Sequence, residues 1–345
     1  ILDYDATLFN VAVGEGALES ASLTGTYNIA IGTQSLYSNT TGINNIASGY
    51  RSLYNNTTGG YNIATGYESL YNNTTGNFNV ASGRWSLYSN TTGSSNIASG
   101  YFSLYSNTTG IHNTATGGNS LIFNTTGSYN VASGSHSLFS NTTGSNNTAS
   151  GYHSLYANTT GSSNIASGYQ SLKSNTTGNQ NTATGTNSLY SNTTGINNVA
   201  SGSHSLYSNT TGSHNVATGN LSLYSNTTGG FNIATGYVAL YANTTGSNNV
   251  ASGYQAGRFQ ADGTTALTVA NDSIFIGRDT RGVESATNQI VIGDTAIGLG
   301  SNTTVLGSTD TTQTKLFGDV NATGAYQKDG VTILDYDATL LNVAV

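Results

Sequence analysis

Apolar positions return to the same place along this chain at a fixed interval. In "NNIASGYRSLYNNTTGG", residues 44–60, only Ile46, Ala47, Leu53 and the aromatic Tyr50 and Tyr54 break a polar background. The Asn that opens "NIA" or "NVA" recurs at Asn28, Asn45, Asn62, Asn79, Asn96, Asn113 and Asn130, then through Asn147, Asn164, Asn181, Asn198, Asn215, Asn232 and Asn249. Every step is 17 residues, and Asn10 in "NVAVGEGAL" is an earlier copy one residue out of step. A short fixed period signals a solenoid in which each copy is one coil stacked on the next.

Seventeen residues are too few for two helices and a turn, and Asn, Thr and Gly are poor helix formers. The unit is expected to form two short strands. One is N-[IVT]-A-[ST]-G, as in residues 45–49, and the other x-S-L-Y, as in residues 51–54. Asn-Thr-Thr-Gly supplies the turn, with Gly taking a backbone shape other residues resist. Strand alternation points Ile46 and Ser48 one way and Ala47 the other. Ala recurs in every copy, so its side tolerates only a methyl group, against another coil wall or another chain. The repeated Leu (Leu36, Leu53, Leu70, Leu87) is the largest apolar group, and its expected partner across the coil is the Ile or Val. A core that thin needs help from inter-coil hydrogen bonds, side-chain ladders and burial between chains. We therefore expect an oligomer, a trimer before other states. Fourteen in-register coils at about 4.8 Å each predict a rod of roughly 65–70 Å.

After residue 257 the register is lost. "SIFIG" (273–277), "QIVIG" (289–293), "TTVLG" (303–307) and "TKLFG" (314–318) read as strands of larger coils with a fuller core, linked by charged loops. The expected organisation is residues 1–27 as an irregular start, 28–257 as the array, 258–318 as a cap or chain-registering segment, and 319–345 as a connector. The end repeats the beginning: "ILDYDATLFNVAV" at 1–13 returns as "ILDYDATLLNVAV" at 333–345, with only Phe9 and Leu341 differing. A super-repeat, or end segments that dock separate subunits head to tail, both account for this; either makes a filament.

Composition narrows the function. Charged residues make up 7% of the chain, against about 25% usually, and between residues 21 and 257 they are only Arg51, Glu68, Arg84 and Lys173. Proline is absent, as suits strands whose every residue donates to a neighbouring coil. No cysteine is present, which removes disulfides and thiolate metal sites. A net charge of −7 offers no basic patch for nucleic acid, and no apolar run approaches the roughly 18 residues of a membrane span. The start at Ile1, without a signal peptide, reads as a piece of something longer. Glu68 is the only carboxylate of the array, so acid–base catalysis is not expected there, nor is a cofactor. The five histidines (His112, His136, His153, His204, His214) lack the supporting carboxylates of a metal site.

Four features remain as candidate sites. The aromatic after each Leu (Tyr37, Tyr54, Tyr71, Tyr88, Tyr105, Phe139, Tyr156, Tyr190, Tyr207, Tyr224, Tyr241), interrupted by Ile122 and Lys173, reads as a stiffening ladder or as a strip for gripping sugars. Asn-Thr-Thr recurs in 13 coils, so Asn39, Asn56, Asn73, Asn90 and Asn107 are sequons in form; the same residues are natural turn and ladder residues. The variable positions, with Trp85, Tyr101 and Phe102 on one side and Tyr61 and Phe78 on the other, are exposed edges or a contact surface. Ice binding is a minor reading, because the strand offers Ala with Ser or Thr instead of two outward Thr.

"NVAVGEGAL" and "NIAIGTQSL" resemble the head repeats of trimeric autotransporter adhesins. "ALYANTTGSNNVASGY" followed by "SIFIG…NQIVIGDTAIG…NTTVLG" is similar to repeat regions of phage tail fibres and bacterial surface fibres. The resemblance implies a trimeric parallel β-roll placed outside the cell or on a virion, acting as a fibre shaft or in adhesion. The 17-residue period departs from the shorter repeat of the adhesin heads. Together these readings give an all-β parallel solenoid and a structural fibre segment, self-associating as a trimer or head-to-tail filament. The alternative is a module that binds a cell-surface glycan or receptor through exposed aromatics.

Overall fold

The computed structural model describes residues 2–5, 8–314, 326–328 and 331–334. The chain divides into two units, Ile1–Ser308 and Thr309–Val345. In the first, β1 (Leu2–Asp5) pairs antiparallel with β2 (Asn10–Val13), and β2 opens a parallel stack. Strands β3 to β16 follow at 17-residue steps, from Ile29–Ile31, Ile46–Ser48 and Ile63–Thr65 to Val250–Ser252. Each pairs in register with the next, Ile46 with Ile63, Ala47 with Ala64, Ser48 with Thr65. The fold is an all-β parallel solenoid of 17-residue coils.

The stack continues through β17 (Ile274–Ile276), β18 (Ile290–Ile292) and β19 (Thr304–Leu306). Phe275 and Val291 fill the Ala position and are fully buried, so the core here is fuller, as expected. Larger coils were expected throughout; only the coil between Val250 and Ile274 is longer, at 24 residues, and the next two shrink to 16 and 14. Of "TKLFG", residues 315–318 lie outside the described residues. In the second unit, β20 (Tyr326–Lys328) and β21 (Val331–Leu334) form an antiparallel pair, within the stretch read as a connector.

Two expectations are corrected. First, Ile46 is 39% exposed while Ala47 and Leu53 are fully buried. Leu therefore packs against Ala of its own coil stack, not against Ile or Val, and the Ala rank faces no other chain. The interior of a 17-residue coil is too narrow for two branched side chains, so the β-branched residue is left outside. What fills the rest is polar: Asn45, Ser52 and Asn56 are also fully buried. Second, residues 51–54 are not a strand. Arg51 and Leu53 both take φ 52°, left-handed backbone that non-glycine residues rarely adopt. The compensation is that Arg51 N donates back to Thr33 O and Leu53 N forward to Ser69 O, 3.0 Å each. The corner thus bonds both neighbouring coils.

The buried Asn residues make two ladders. Asn45 Nδ2 donates to Asn28 Oδ1 (3.1 Å) and to Gly59 O (2.9 Å). Asn56 Nδ2 donates to Asn39 Oδ1 (2.8 Å) and to the same Gly59 O (2.9 Å). Both amide hydrogens are used, which removes the desolvation cost of burying them.

Candidate functional site

The parallel register sets equivalent side chains of successive coils above one another, so every surface position becomes a rank. The rank after the buried Leu is the aromatic ladder. Rings of Tyr37, Tyr54, Tyr71, Tyr88 and Tyr105 stack at centroid distances of 5.1–5.2 Å, tilted by no more than 9°. Tyr190, Tyr207, Tyr224 and Tyr241 form a second run at 5.1 Å. Burial pushes the Tyr71, Tyr88 and Tyr224 phenols above their ordinary value. A sugar is gripped by the face of a ring, and inside a stack both faces are taken by neighbouring rings. The ladder geometry therefore serves stiffening. Its interruptions are bridged: Lys173 Nζ donates to Tyr190 Oη at 3.1 Å, and beside Ile122, Phe123 meets Phe139 edge-on at 5.1 Å.

The sequon residues Asn39, Asn56, Asn73, Asn90 and Asn107 are all fully buried. Their Nδ2 atoms, where a glycan would attach, point into the coil and donate there. The geometry gives them the ladder role.

Tyr61 and Phe78 are 49% and 59% exposed and stack on each other at 5.0 Å. Their rank neighbours are Asn44 and Ser95, so this pair is isolated. On the other side, Trp85, Tyr101 and Phe102 come together. Trp85 and Phe102 are half-buried and stacked at 4.7 Å, and Tyr101 packs edge-on against Phe102 at 4.1 Å while remaining 47% exposed. Trp85 Nε1 donates to Glu68 Oε2 at 2.9 Å, and the Arg84 guanidinium lies 3.7 Å from the Trp85 ring centre. Trp85 is thus enclosed, and Tyr101 is the open member of the group. The charged neighbours Arg51, Glu68 and Arg84 join the same surface, which the 17-residue spacing foretold. That Arg84 and Phe102 would cover the Trp85 ring was not readable from spacing, since it depends on rotamers.

The histidines sit in the same ranks. His136 and His153 lie 5.3 Å apart, nearly perpendicular. His153 is held below its ordinary value by burial, then by the charges of His136 and Lys173. Its Nδ1 is buried with no hydrogen-bond partner. Among the described residues no group of three or more His, Cys, Asp or Glu could hold a metal ion. In the charged C-terminal coils, Arg278 pairs with Asp294 across coils at 2.7 Å, and Arg281 with Asp279 at 2.8 Å. The Thr265 hydroxyl and the backbone N–H groups of Thr264 and Thr265 hold the Asp262 carboxyl down to about 2. Two of these carboxylates are thus met by arginines and the third by threonine donors.

Comparison with protein-family models, with curated proteins and with solved structures found no match.

Proposed function

We propose that this chain is a structural segment of an extracellular or virion fibre, a shaft made by stacking β-coils, with chains associated as trimers. The observation that supports it best is the Asn double ladder. The same buried bonds recur from coil to coil and tie each coil to the next, so they build length and stiffness. The resemblance of "NVAVGEGAL" and "NIAIGTQSL" to adhesin heads supports placement outside the cell. Trimer formation draws support from the outward rank of Ile29, Ile46, Ile63, Val80 and Ile97, exposed or half-exposed β-branched residues on one sheet face. Such a rank is an association surface. Catalysis is no part of this reading.

Light scattering of the purified segment tests it. Three chains per particle support the trimeric shaft, and open-ended growth favours head-to-tail docking through the duplicated ends. A folded monomer at all concentrations removes the trimer.

A second reading is a glycan-binding module. It is favoured by one observation: the only Trp and three of the four array charges fall on consecutive coils beside exposed Tyr67 and Tyr101. Glycan binding that is lost in Tyr101→Ala favours this reading over the shaft alone.

A further inference from the structure

The array is nearly free of charge except around residues 50–102. Arg51, Glu68 and Arg84 lie on three successive coils, and Lys173 stands far along the chain. Two of the three are accounted for. Arg51 Nε donates to Gln34 Oε1 at 2.8 Å, and Glu68 accepts from Trp85 at 2.9 Å. Arg84 has no ion pair and no side-chain hydrogen bond among the described residues, and it is exposed.

Its guanidinium is nevertheless held in place. The carbon Cζ lies 3.7 Å from the Trp85 ring centre on its own coil. Tyr67 on one neighbouring coil is 5.4 Å away and Tyr101 on the other is 6.0 Å away. Aromatic rings thus flank a planar cation and fix its orientation on the surface, leaving its N–H edge free. That edge presents donors in a fork that matches an oxyanion. Tyr67 and Tyr101 are 43% and 47% exposed, with room for an apolar ring surface beside the charge.

We infer that Arg84, flanked by Tyr67 and Tyr101, is a binding site for an acidic saccharide. A carboxylate or sulfate takes the guanidinium edge, and the C–H face of the same sugar rests on Tyr101, since Tyr67 is already stacked on Tyr50 at 5.2 Å. This rests on the second reading above and names its ligand class. A rigid sugar ring carries an apolar face and an oxyanion within the separation that Arg84 keeps from the two tyrosines. An acidic peptide fits less well, because strand addition needs a free backbone edge. Here Trp85 N donates to Tyr67 O and Phe102 N to Arg84 O, both at 3.0–3.1 Å, so the coils already use those groups. The net charge of −7 opposes a nucleic acid.

The test is calorimetric titration of the whole chain with oligogalacturonate, its methyl ester and a sulfated oligosaccharide, at low salt. The parent is expected to bind an anionic probe and not the neutral ester. Arg84→Gln should weaken binding at least about tenfold, and Arg84→Lys should recover only part, since it keeps charge but not the fork. Lys173→Gln, which removes another array cation, should change little. Binding of the carboxylated probe alone, or the sulfated one alone, supports the site and identifies the oxyanion. Anionic binding that ignores Arg84, or falls equally with Lys173→Gln, overturns this site and leaves the binding-module reading standing. No binding of either anionic probe overturns this site, and the glycan reading then rests on its own Tyr101→Ala test. Arg84 is a surface side chain, and an unchanged circular dichroism melt establishes that the variants remain folded.

Discussion

Asn56 donates through Nδ2 to Oδ1 of Asn39 on the neighbouring coil, 2.8 Å away, with both side chains fully buried. Repeated along the stack, that bond links coils through their interiors as well as their strands. Asn73→Ala removes the donor to Asn56 Oδ1 (2.9 Å) and leaves that oxygen buried without its ladder partner. Gly76 O keeps a second donor in Asn62 Nδ2 at 2.9 Å, but Asn90 Nδ2 loses Asn73 Oδ1 as its acceptor (2.8 Å), so one acceptor and one donor hydrogen lose their ladder partner. We expect a cost of about 1–3 kcal/mol, seen as a lower melting temperature by circular dichroism. Asn73→Asp should cost more, because a carboxylate then faces the Asn56 oxygen.

The same burial bears on glycosylation. Produced in a cell that glycosylates Asn-X-Thr sequons, the folded fraction should carry no glycan on Asn39, Asn56, Asn73, Asn90 or Asn107, read by peptide mapping. A glycan found on Asn56 in material that still melts cooperatively would contradict the ladder, since a glycosylated Nδ2 keeps one N–H and cannot donate to both Asn39 Oδ1 and Gly59 O inside the coil.

Glycine is required at the strand end but not everywhere. Gly83 takes φ 130°, and a Cβ there would sit 2.7 Å from Gly100 O of the next coil. Gly118 has open space within 4 Å. Gly83→Ala should destabilise by about 1–3 kcal/mol from backbone strain alone, with the clash added, and Gly118→Ala should be near neutral. Equal effects in chemical denaturation would mean that the coils stack less closely than described.

Much of this was legible in the sequence. The 17-residue interval marked the coil, the recurring Ala marked a side with room for only a methyl group, and the Asn-Thr-Thr-Gly spacing marked the turn. The polarity rule misled at Ile46 and Val80, because burial here is decided by the cross-section of the coil and not by hydrophobicity. Small Ala and paired Asn fit where Ile does not. The left-handed backbone of Arg51 and Leu53 was also hidden, since neither residue favours it locally and only bonds to Thr33 and Ser69 hold it. For the candidate site, the period placed Trp85 beside Arg84 and Tyr101, while the covering of its ring depends on side-chain geometry.

Acid should weaken the middle of the array. His153 is held below the ordinary value of 6.5, chiefly by burial. The unfolded chain therefore takes up a proton at a pH where the folded coil does not. Stability rises with pH through that window, and this contribution is lost as pH falls from about 6.5 through the lower value of the folded state. Melting temperature should drop on acidification toward pH 5 in the parent, and His153→Gln should flatten that drop. An unchanged slope in the variant would move the pH effect to another group.

The outward rank of β-branched residues makes the last prediction. Ile97 is 45% and Ile165 47% exposed, on strands whose inward Ala is wholly buried. Replacing both by Lys touches no buried group, so each coil stack should keep its melt. If chains associate through this face, two ammonium groups per chain must be desolvated or brought near their copies at the interface, which opposes assembly. The double variant should then run as a single chain by light scattering where the parent runs as three. A variant that stays trimeric would transfer the interface to another rank, with the aromatic ladder beside Leu53 and Leu70 next in line. Loss of the melt itself would mean that the coils depend on their neighbours for stability, despite the self-contained bonding of Asn45 and Asn56.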